Sequence, residues 1–343
     1  MTPAAIADAF AFQSKACASL GSPFMGQLMQ LCATQKWPDS PITDRIFGWT
    51  GDISPRGQSV PLRLAGALHA LHLRGHKTLG EVYPPQAVDD AALWAAVSDT
   101  LVSDAAFIDD WIDSAPQTNE VRRSVALIAV GHWLADRFGL PMRTSELGAS
   151  GGLNLHWDGY ALQIGNSVFG PRGPAMVLVP DWAGPMPPAT RPHVAQRAGV
   201  DLNPLDPSDP ADALRLQAYL WPDQPERLQL TRAAIAATTT RVDKGDAIDW
   251  LAPRLAHQPG QLHLIYSTVA WQYFPDEKQA EGTRLIEKAG AAATDDSPLA
   301  WFGMENDGGE RGAALTLRLW PGDLVIDLGR ADFHGRWVDW TGG

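Results

Sequence analysis

The stretch MRTSELGASGGLN, residues 142–154, decides the fold of this chain. Its first half, Met142–Leu147, is a short strand-like run with apolar residues at both ends. Its second half is rich in small residues, among them Gly148, Gly151 and Gly152. Small residues directly after a strand let the backbone turn sharply and approach a ligand closely. The stretch therefore predicts a strand followed by a ligand-binding loop.

Downstream of this loop, strand-like and helical segments alternate. Strand-like runs cover residues 175–179, 194–202, 240–242, 262–267 and 299–304, and helical patterns cover residues 210–220, Pro225–Ala237, 247–256 and 276–289. This alternation predicts a parallel sheet with crossover helices. Two last strand-like runs flank Pro321-Gly322-Asp323, which predicts a terminal antiparallel hairpin.

Upstream of the loop, the pattern is helical. Helical spacing covers residues 5–18, 24–34, 62–74, 89–102, 105–114 and 119–138, whereas residues 37–59 are rich in Pro, Gly and Asp and predict a long loop. We therefore predict a helical N-terminal domain over residues 1–117. An α/β domain follows over residues 118–343, with insertions near residues 156–192 and 204–238.

The composition limits the classes of partner. Of 343 residues, 45% are hydrophobic and 19% are charged, which is typical of a chain with a sizeable buried core. The net charge of −12, without a cluster of Lys or Arg, disfavours nucleic acid and anionic membranes. A small-molecule substrate is expected, and the oligomeric state is left open. Two cysteines, no basic leader pattern and no apolar run of about 20 residues favour a cytoplasmic protein.

Spacing separates the chemistries that use a glycine loop after a strand. Dinucleotide binding needs glycines at i, i+2 and i+5, but Ser150 and Leu153 hold the last two places after Gly148. A phosphate-binding P-loop needs a Gly-Lys-Ser/Thr ending, which this stretch lacks. The spacing Glu146-x-Gly148-x-Ser150-x-Gly152 resembles motif I of class I S-adenosylmethionine-dependent methyltransferases, an acidic residue followed by three alternating glycines. Ser150 replaces the middle glycine.

The resemblance implies S-adenosylmethionine as the cofactor. It also implies a doubly wound, mostly parallel, seven-stranded α/β sheet of the Rossmann type. In that family the loop packs against the methionine and ribose part of the cofactor, which assigns cofactor binding to Glu146, Gly148, Ser150 and Gly152. An acidic residue at the end of the second strand accepts hydrogen bonds from the ribose hydroxyls, and Asp201 stands at that place here.

The resemblance extends to the third and fourth candidate strands. Asp246 and Ala247 follow the third, where the family often places an Asp and a small residue against adenine. Ser267 ends the fourth strand, which would face the methyl group, and is also assigned to the cofactor. Trp271 and Tyr273 come next and are assigned to an acceptor pocket, with core packing as the alternative reading.

Two further polar residues are candidate substrate contacts. Asn154 directly follows the glycine loop and either caps a helix or contacts a ligand. His334 lies beyond the final hairpin and either reaches a ligand or belongs to a surface turn. No general base is assigned, and no metal is expected. His69, His72 and His76 would share one helical face if the helix continued past Gly75, but no carboxylate or cysteine completes a metal site with them.

Other functions fit parts of the same sequence. Gly148 to Gly152 also matches Gly-x-Ser-x-Gly, the nucleophile elbow of α/β-hydrolases, with Ser150 as nucleophile, His334 as base and Asp307 or Asp327 as the orienting acid. The helical pattern before Met142–Leu147 argues against that alternative, since an elbow normally follows several strands. A third alternative is a non-catalytic protein that binds a nucleoside cofactor, and a fourth is a purely structural loop, a tight turn with no ligand.

The chain as a whole resembles an uncharacterised bacterial family, a domain of unknown function. Its members combine a helical N-terminal part with a glycine loop of this kind, and they share a Val-Asp-Leu-Asn-Pro-Leu-Asp stretch, here residues 200–206. A Trp-Pro-Asp-Gln segment, here residues 221–224, and a terminal His-Gly-Arg-Trp, here residues 334–337, complete the resemblance. This likeness implies the fold more directly than any activity.

Overall fold

A computed structural model describes residues 2–54, 57–309 and 311–342. The chain forms two compact units: one contains Met1–Thr118 and Asp209–Gln229, and the other contains Asn119–Ser208 and Leu230–Gly343. The segment Asp209–Gln229, which the sequence pattern places in an insertion of the α/β domain, therefore belongs to the first unit.

Helices dominate the first part of the chain, and strands become frequent after residue 141. The α-helices are α1 Ala4–Ser19, α2 Pro23–Thr34, α3 Pro41–Phe47, α4 Val60–Leu73, α5 Lys77–Gly80, α6 Asp90–Ser103, α7 Ala105–Ile112, α8 Ser124–Phe138, α9 Pro210–Ala218, α10 Pro225–Ala237, α11 Ala247–Leu251 and α12 Asp276–Gly290. The strands are β1 Met142–Leu147, β2 Ala161–Ile164, β3 Ser167–Phe169, β4 Val177–Leu178, β5 Asp181–Ala183, β6 Val194–Asp201, β7 Asp243–Lys244, β8 Leu262–Thr268, β9 Leu299–Glu305, β10 Ala313–Trp320, β11 Leu324–Ala331 and β12 Trp337–Trp340. Short 3-10 helices cover Val121–Arg123, Leu153–Gly159, Ala252–Leu255 and Trp271–Tyr273.

The first unit is helical, and the segment Asp209–Gln229 completes its core. Tyr219 is buried in the same apolar cluster as α4 and packs against Gly66, where any side chain would collide with its ring. Asp223 accepts hydrogen bonds from Ser22 Oγ at 2.5 Å and from the Phe24 amide at 3.0 Å. These contacts explain why a segment distant in sequence joins this unit.

One prediction for the first unit is wrong in part. Residues 37–59 contain the helix α3 instead of a continuous loop. Its start carries a recognisable signal, because Ser40 Oγ accepts the Thr43 amide and Pro41 occupies the first helical position. The local excess of Pro, Gly and Asp hides that signal.

The second unit is built on a large mixed sheet with the strand order β5-β12-β11-β10-β9-β8-β1-β6-β7. The pairs β1–β6, β1–β8, β6–β7, β8–β9 and β5–β12 are parallel, and β9–β10, β10–β11 and β11–β12 are antiparallel. The expected α/β class, the mostly parallel sheet and the antiparallel terminal hairpin are confirmed. The expected count of seven strands is wrong, since this sheet has nine in the part of the chain that the structure describes. The insertion forms a separate sheet, β3-β2-β4.

Helices cover both faces of the large sheet. On one face, α8 shares a buried cluster with Leu264 and Tyr266 of β8. On the other face, α11 and α12 share a cluster with Leu147 and Ile265. Burial of each such aliphatic side chain stabilises the fold by about 1.5–3 kcal/mol. Strand β8 thus contributes side chains to both apolar layers, and every residue of β1 and β8 is buried.

The strand order reverses at β1. From β1 the chain first builds outward through β6 and β7, then returns to place β8 on the other side of β1. In open α/β sheets, ligands bind outside the carboxyl ends of the strands at such a reversal. The third strand was predicted at residues 240–242, but the strand β7 begins just after them, at Asp243. There Val200 and Asp201 pair with Asp243 and Lys244.

Candidate functional site

The glycine loop lies at the carboxyl end of β1 and turns tightly onto β6. The amides of Gly148 and Ala149 both donate to the carbonyl of Val200 at 3.0 Å. Gly148, Ser150 and Gly152 have φ values of +74°, +54° and +72°, in the left-handed region that favours glycine. The sequence expectation of a sharp backbone bend here agrees with these angles.

Two predicted cofactor residues meet across this bend. The amide of Ser150 donates to Oδ2 of Asp201 at 2.9 Å, and the other carboxylate oxygen accepts the Asn203 amide at 2.9 Å. Asp201 is the last residue of β6 and is half-buried. The Gly245 amide donates to the Asp201 carbonyl at 3.0 Å, which ties the end of β6 to the chain that follows β7. The loop and the carboxylate thus form one rigid corner.

The Ser150 hydroxyl is buried in this corner. Ser150 is 5% exposed, and its Oγ has no hydrogen-bond partner among the described residues. The structure therefore does not assemble the alternative hydrolase triad around it. Asp307 pairs with Arg330 at 2.8 Å, and Asp327 accepts the Gly329 amide at 2.8 Å.

His334 lies in the turn between β11 and β12. Its amide donates to Oδ1 of Asp332 at 3.0 Å, and Asp332 also pairs with Arg336 at 2.7 Å. The turn packs closely on the 3-10 helix Val121–Arg123, because a side chain at Gly335 would collide with the Arg122 carbonyl. His334 is thus held at a half-buried turn and is not a hydrogen-bond partner of the Ser150 hydroxyl.

Glu146 belongs to β1, just before the loop, and is 1% exposed. Burial raises the pKa of its carboxyl well above the ordinary value, and the nearby Asp201 carboxylate acts in the same direction. Tyr266 Oη lies 3.4 Å from Glu146 Oε2 and 3.2 Å from the Asn154 carbonyl. Glu146 is therefore a buried acid whose surroundings favour the protonated form.

The structure gives Asn154 a structural role. Its Oδ1 accepts Ser124 Oγ at 2.7 Å, its Nδ2 donates to the Glu120 carbonyl at 3.2 Å, and the residue is 1% exposed. Both ends of the amide are used within the protein, so the candidate role as a substrate contact is not supported. The neighbouring Leu153 amide donates to Asn119 Oδ1 at 2.9 Å, which fixes the same turn.

Asp246 and Ala247 begin α11. Asp246 caps that helix by accepting the amides of Ile248 at 2.9 Å and Asp249 at 3.1 Å, and Lys278 Nζ lies 3.4 Å from its carboxylate. Ala247 packs half-buried on the cluster of α11 and α12. The Gly245 amide links the residue before them to the Asp201 carbonyl, whereas the Asp246 carboxylate itself is used by α11 and by Lys278 of α12.

The residues at and after the end of β8 lie in different environments. Ser267 is 1% exposed and pairs with Gly303 of β9. Trp271 packs against Trp301, with ring centroids 5.1 Å apart. Tyr273 is 73% exposed. Trp271 therefore lies on an apolar cluster, whereas Tyr273 faces solvent.

Sequence reasoning missed three residues that contact this region. Arg123 donates to the Thr268 carbonyl at 3.0 Å and to the Phe333 carbonyl at 2.9 Å. Glu305, at the end of β9, accepts backbone amides from residues 270–272. Ala270 lies against Gly148, where an added Cβ would be 2.5 Å from the Ala270 methyl. An acidic residue at the carboxyl end of a strand was a usable signal for Glu305, whereas Arg123 and Ala270 carry none.

A second serine–histidine pair lies inside the sheet. His263 Nε2 is 2.9 Å from Ser145 Oγ, and His263 Nδ1 is 2.9 Å from Arg143 Nη2. Because arginine only donates, Nδ1 accepts, and the ring proton is on Nε2 and points to Ser145. Burial, with the Arg143 charge in support, lowers the pKa of His263 well below its ordinary value. The imidazole donates to Ser145 and cannot act as its base.

The described part of the chain offers neither a metal cluster nor a simple membrane span. Within residues 2–54, 57–309 and 311–342, no group of three or more His, Cys, Asp and Glu side chains is arranged to hold a metal ion. His76 instead caps α5 and pairs with Asp104 at 3.1 Å. No single helix in these ranges has the length and apolar composition to cross a membrane, and only the bent pair α6 and α7, taken together, meets those criteria.

Comparisons with known proteins identify the chain at the level of its family. Neither the curated proteins nor the solved structures gave a match. One family model matches residues 7–340, which is nearly the whole chain. The chain belongs to the family described as "Uncharacterized protein conserved in bacteria (DUF2332)".

Proposed function

We propose that this protein binds S-adenosylmethionine at the carboxyl ends of β1, β6 and β8 and transfers its methyl group to a small molecule. The observation that carries the proposal is the hydrogen bond from the Ser150 amide to Asp201. It joins a glycine loop to a carboxylate at the point where the strand order reverses. The spacing of the loop resembles the methyltransferase motif I.

The polar groups of the corner suit a nucleoside cofactor. Each oxygen of Asp201 accepts one backbone amide, which leaves further lone pairs for two hydroxyl groups of a ribose. Ser150 Oγ is a buried hydroxyl without a protein partner among the described residues. A buried polar atom of this kind costs free energy unless a ligand or water satisfies it. Ser150 and Asp201 are therefore the residues that would hold the cofactor.

The protein's contribution to the reaction would be binding and orientation. When bound, S-adenosylmethionine supplies a methyl group already activated on its sulfonium sulfur. Glu146 is 1% exposed and lies beside Tyr266 Oη, so it is not assigned as a base. Glu305 is occupied by backbone amides. We therefore expect an acceptor whose nucleophile does not depend on proton removal by these two groups.

Titration calorimetry with S-adenosylmethionine and its demethylated product tests the proposal. Ser150→Ala removes a hydroxyl that bonds to no described protein group, so we expect an unchanged fold and binding weakened by roughly tenfold. Ser167→Ala, on the hairpin of the small sheet, is the matched control and should bind like the wild type. Absence of binding by folded wild type, or equal binding by Ser150→Ala, would contradict the proposed site. Binding without methyl transfer to any acceptor of a broad panel would favour the non-catalytic alternative.

A further inference from the structure

The residue after β8 has an unusual backbone conformation. Val269 has φ +55°, in the left-handed region. A β-branched side chain is rarely found there, because its Cβ substituents crowd the following carbonyl. Surrounding contacts must hold such a residue in place. Its amide donates to the Met304 carbonyl at 2.8 Å, and Arg123 holds the preceding Thr268 carbonyl at 3.0 Å.

Glu305 holds the segment that follows. Its carboxylate accepts the Ala270 amide at 3.1 and 3.2 Å, the Trp271 amide at 3.1 Å and the Gln272 amide at 3.4 Å. Gln272 Oε1 accepts the Asn306 amide at 2.7 Å, which adds a second link between the same two chain segments. Several amides on one half-buried carboxylate form a strong but localised attachment.

The attached segment lies directly on the glycine loop. The Ala270 methyl is 2.5 Å from the position that a Cβ would take at Gly148. Gly148 is half-buried, in contrast to Ala149 and Ser150, which are buried. A ligand that contacts Gly148 from this side meets Ala270 first.

We infer that residues 269–272 form a lid over the glycine loop, with Val269 as its hinge and Glu305 as its latch. The inference rests on the proposed cofactor site, because it states how that site is closed and opened. In the closed state the latch offsets the unfavourable conformation of Val269. When the amides of residues 270–272 leave Glu305, Val269 relaxes to an ordinary conformation and Ala270 moves away from Gly148. The unfavourable conformation of Val269 therefore favours the open lid, and the hydrogen bonds to Glu305 favour the closed lid.

Hydrogen exchange of the amides of residues 270–272 in ligand-free protein tests the lid without any cofactor. Glu305→Gln replaces one of the two acceptor oxygens of the latch by an NH₂ group, which cannot accept a backbone amide, so exchange should become roughly tenfold faster. Val269→Asn should slow exchange, because asparagine tolerates the left-handed region better than valine does. Glu277→Gln and Val325→Asn, at solvent-exposed sites, are matched controls that should leave these amides unchanged. Unchanged exchange in Glu305→Gln, or faster exchange in Val269→Asn, would overturn the lid.

Rapid filtration with methyl-labelled S-adenosylmethionine separates this inference from the proposed function. If both hold, Glu305→Gln should associate faster and Val269→Asn more slowly than the wild type. Altered exchange in both variants without any cofactor binding keeps the lid and removes the proposed function. If both variants bind the cofactor, and their amide exchange and association rates equal those of the wild type, the lid inference is contradicted and the proposed function stands.

Discussion

The backbone amide of Ser150 donates a 2.9 Å hydrogen bond to Asp201, across the carboxyl ends of the neighbouring parallel strands β1 and β6. The other carboxylate oxygen of Asp201 accepts the Asn203 amide at 2.9 Å. One side chain therefore fixes both the glycine loop and the turn after β6. Both hydrogen bonds depend on this carboxylate having two acceptor oxygens.

Asp201→Asn should destabilise the second unit by about 1–3 kcal/mol. Asparagine has one acceptor oxygen, so its NH₂ group must face the amide of either Ser150 or Asn203, whichever way it is oriented. Chemical denaturation measures the loss. Asp295→Asn, in an exposed turn, is the control and should change the free energy of unfolding by less than about 0.5 kcal/mol. Equal stability of Asp201→Asn and the wild type would contradict the bracing role.

Gly148→Ala should destabilise the protein for two separable reasons. The added Cβ would lie 2.5 Å from the Ala270 methyl, and the backbone φ of +74° is unfavourable for alanine by roughly 1–2 kcal/mol. The double variant with Ala270→Gly removes the first reason but keeps the second. A double-mutant cycle should therefore show a favourable coupling of about 0.5–3 kcal/mol between positions 148 and 270. Strict additivity would mean that the two residues are not in contact.

The sequence predicted the elements around the loop because each has a strong local pattern. Met142–Leu147 is followed by small residues, and the terminal hairpin is marked by Pro321-Gly322-Asp323. The strands β5 and β12 were missed because three and four residues are too short for a period to be recognised. They pair only with each other and β11, a long-range arrangement that local spacing cannot reveal.

For the candidate site, the sequence indicated that Asp201 and the glycine loop lie together, but it did not indicate the surroundings of the other candidate residues. Asp201 and the loop were brought together as expected, because carboxyl ends of adjacent parallel strands meet at one edge. Asp246 was predicted as a cofactor contact, but the sequence could not show that its carboxylate caps α11. Asn154 is likewise polar and adjacent to the loop, yet buried among partners from residues 119–124. The type and sequence position of a residue therefore indicate whether it lies near the glycine loop better than whether its side chain is free to meet a ligand.

Glu146→Gln should stabilise the protein increasingly as the pH rises. Burial raises the folded-state pKa of Glu146 well above 4.5, so the folded protein holds a proton that the unfolded chain releases. The stability contributed by this group is full below pH 4.5 and is lost as the pH rises toward the folded pKa. In that pH range, the free energy of unfolding of the variant relative to the wild type should increase by up to about 1.4 kcal/mol per pH unit. A constant difference between pH 4.5 and 7.5 would show that Glu146 ionises normally.

His263 should give the opposite pH dependence. Burial and Arg143 lower its folded-state pKa well below 6.5, so protonation of the unfolded chain destabilises the fold as the pH falls. The stability that neutral His263 contributes is fully present above pH 6.5. Below pH 6.5 the free energy of unfolding falls by up to about 1.4 kcal/mol per pH unit. His263→Gln keeps a donor for Ser145 and an acceptor for Arg143, but it must order a longer and more flexible side chain in place of the ring, so it should be less stable at pH 7.5.

The effect of His263 is measured as the difference in the free energy of unfolding between the wild type and His263→Gln. His72, His132 and His156 also have pKa values lowered by burial, so they give the wild type a slope of the same sign. They remain in the variant, and only the His263 contribution is removed by subtraction. Denaturant unfolding at pH 7.5, 6.5 and 5.5 should show the variant's deficit shrinking as the pH falls. A deficit that is the same at all three values would mean that His263 has the same pKa in the folded and the unfolded protein, which would contradict the effect of its burial.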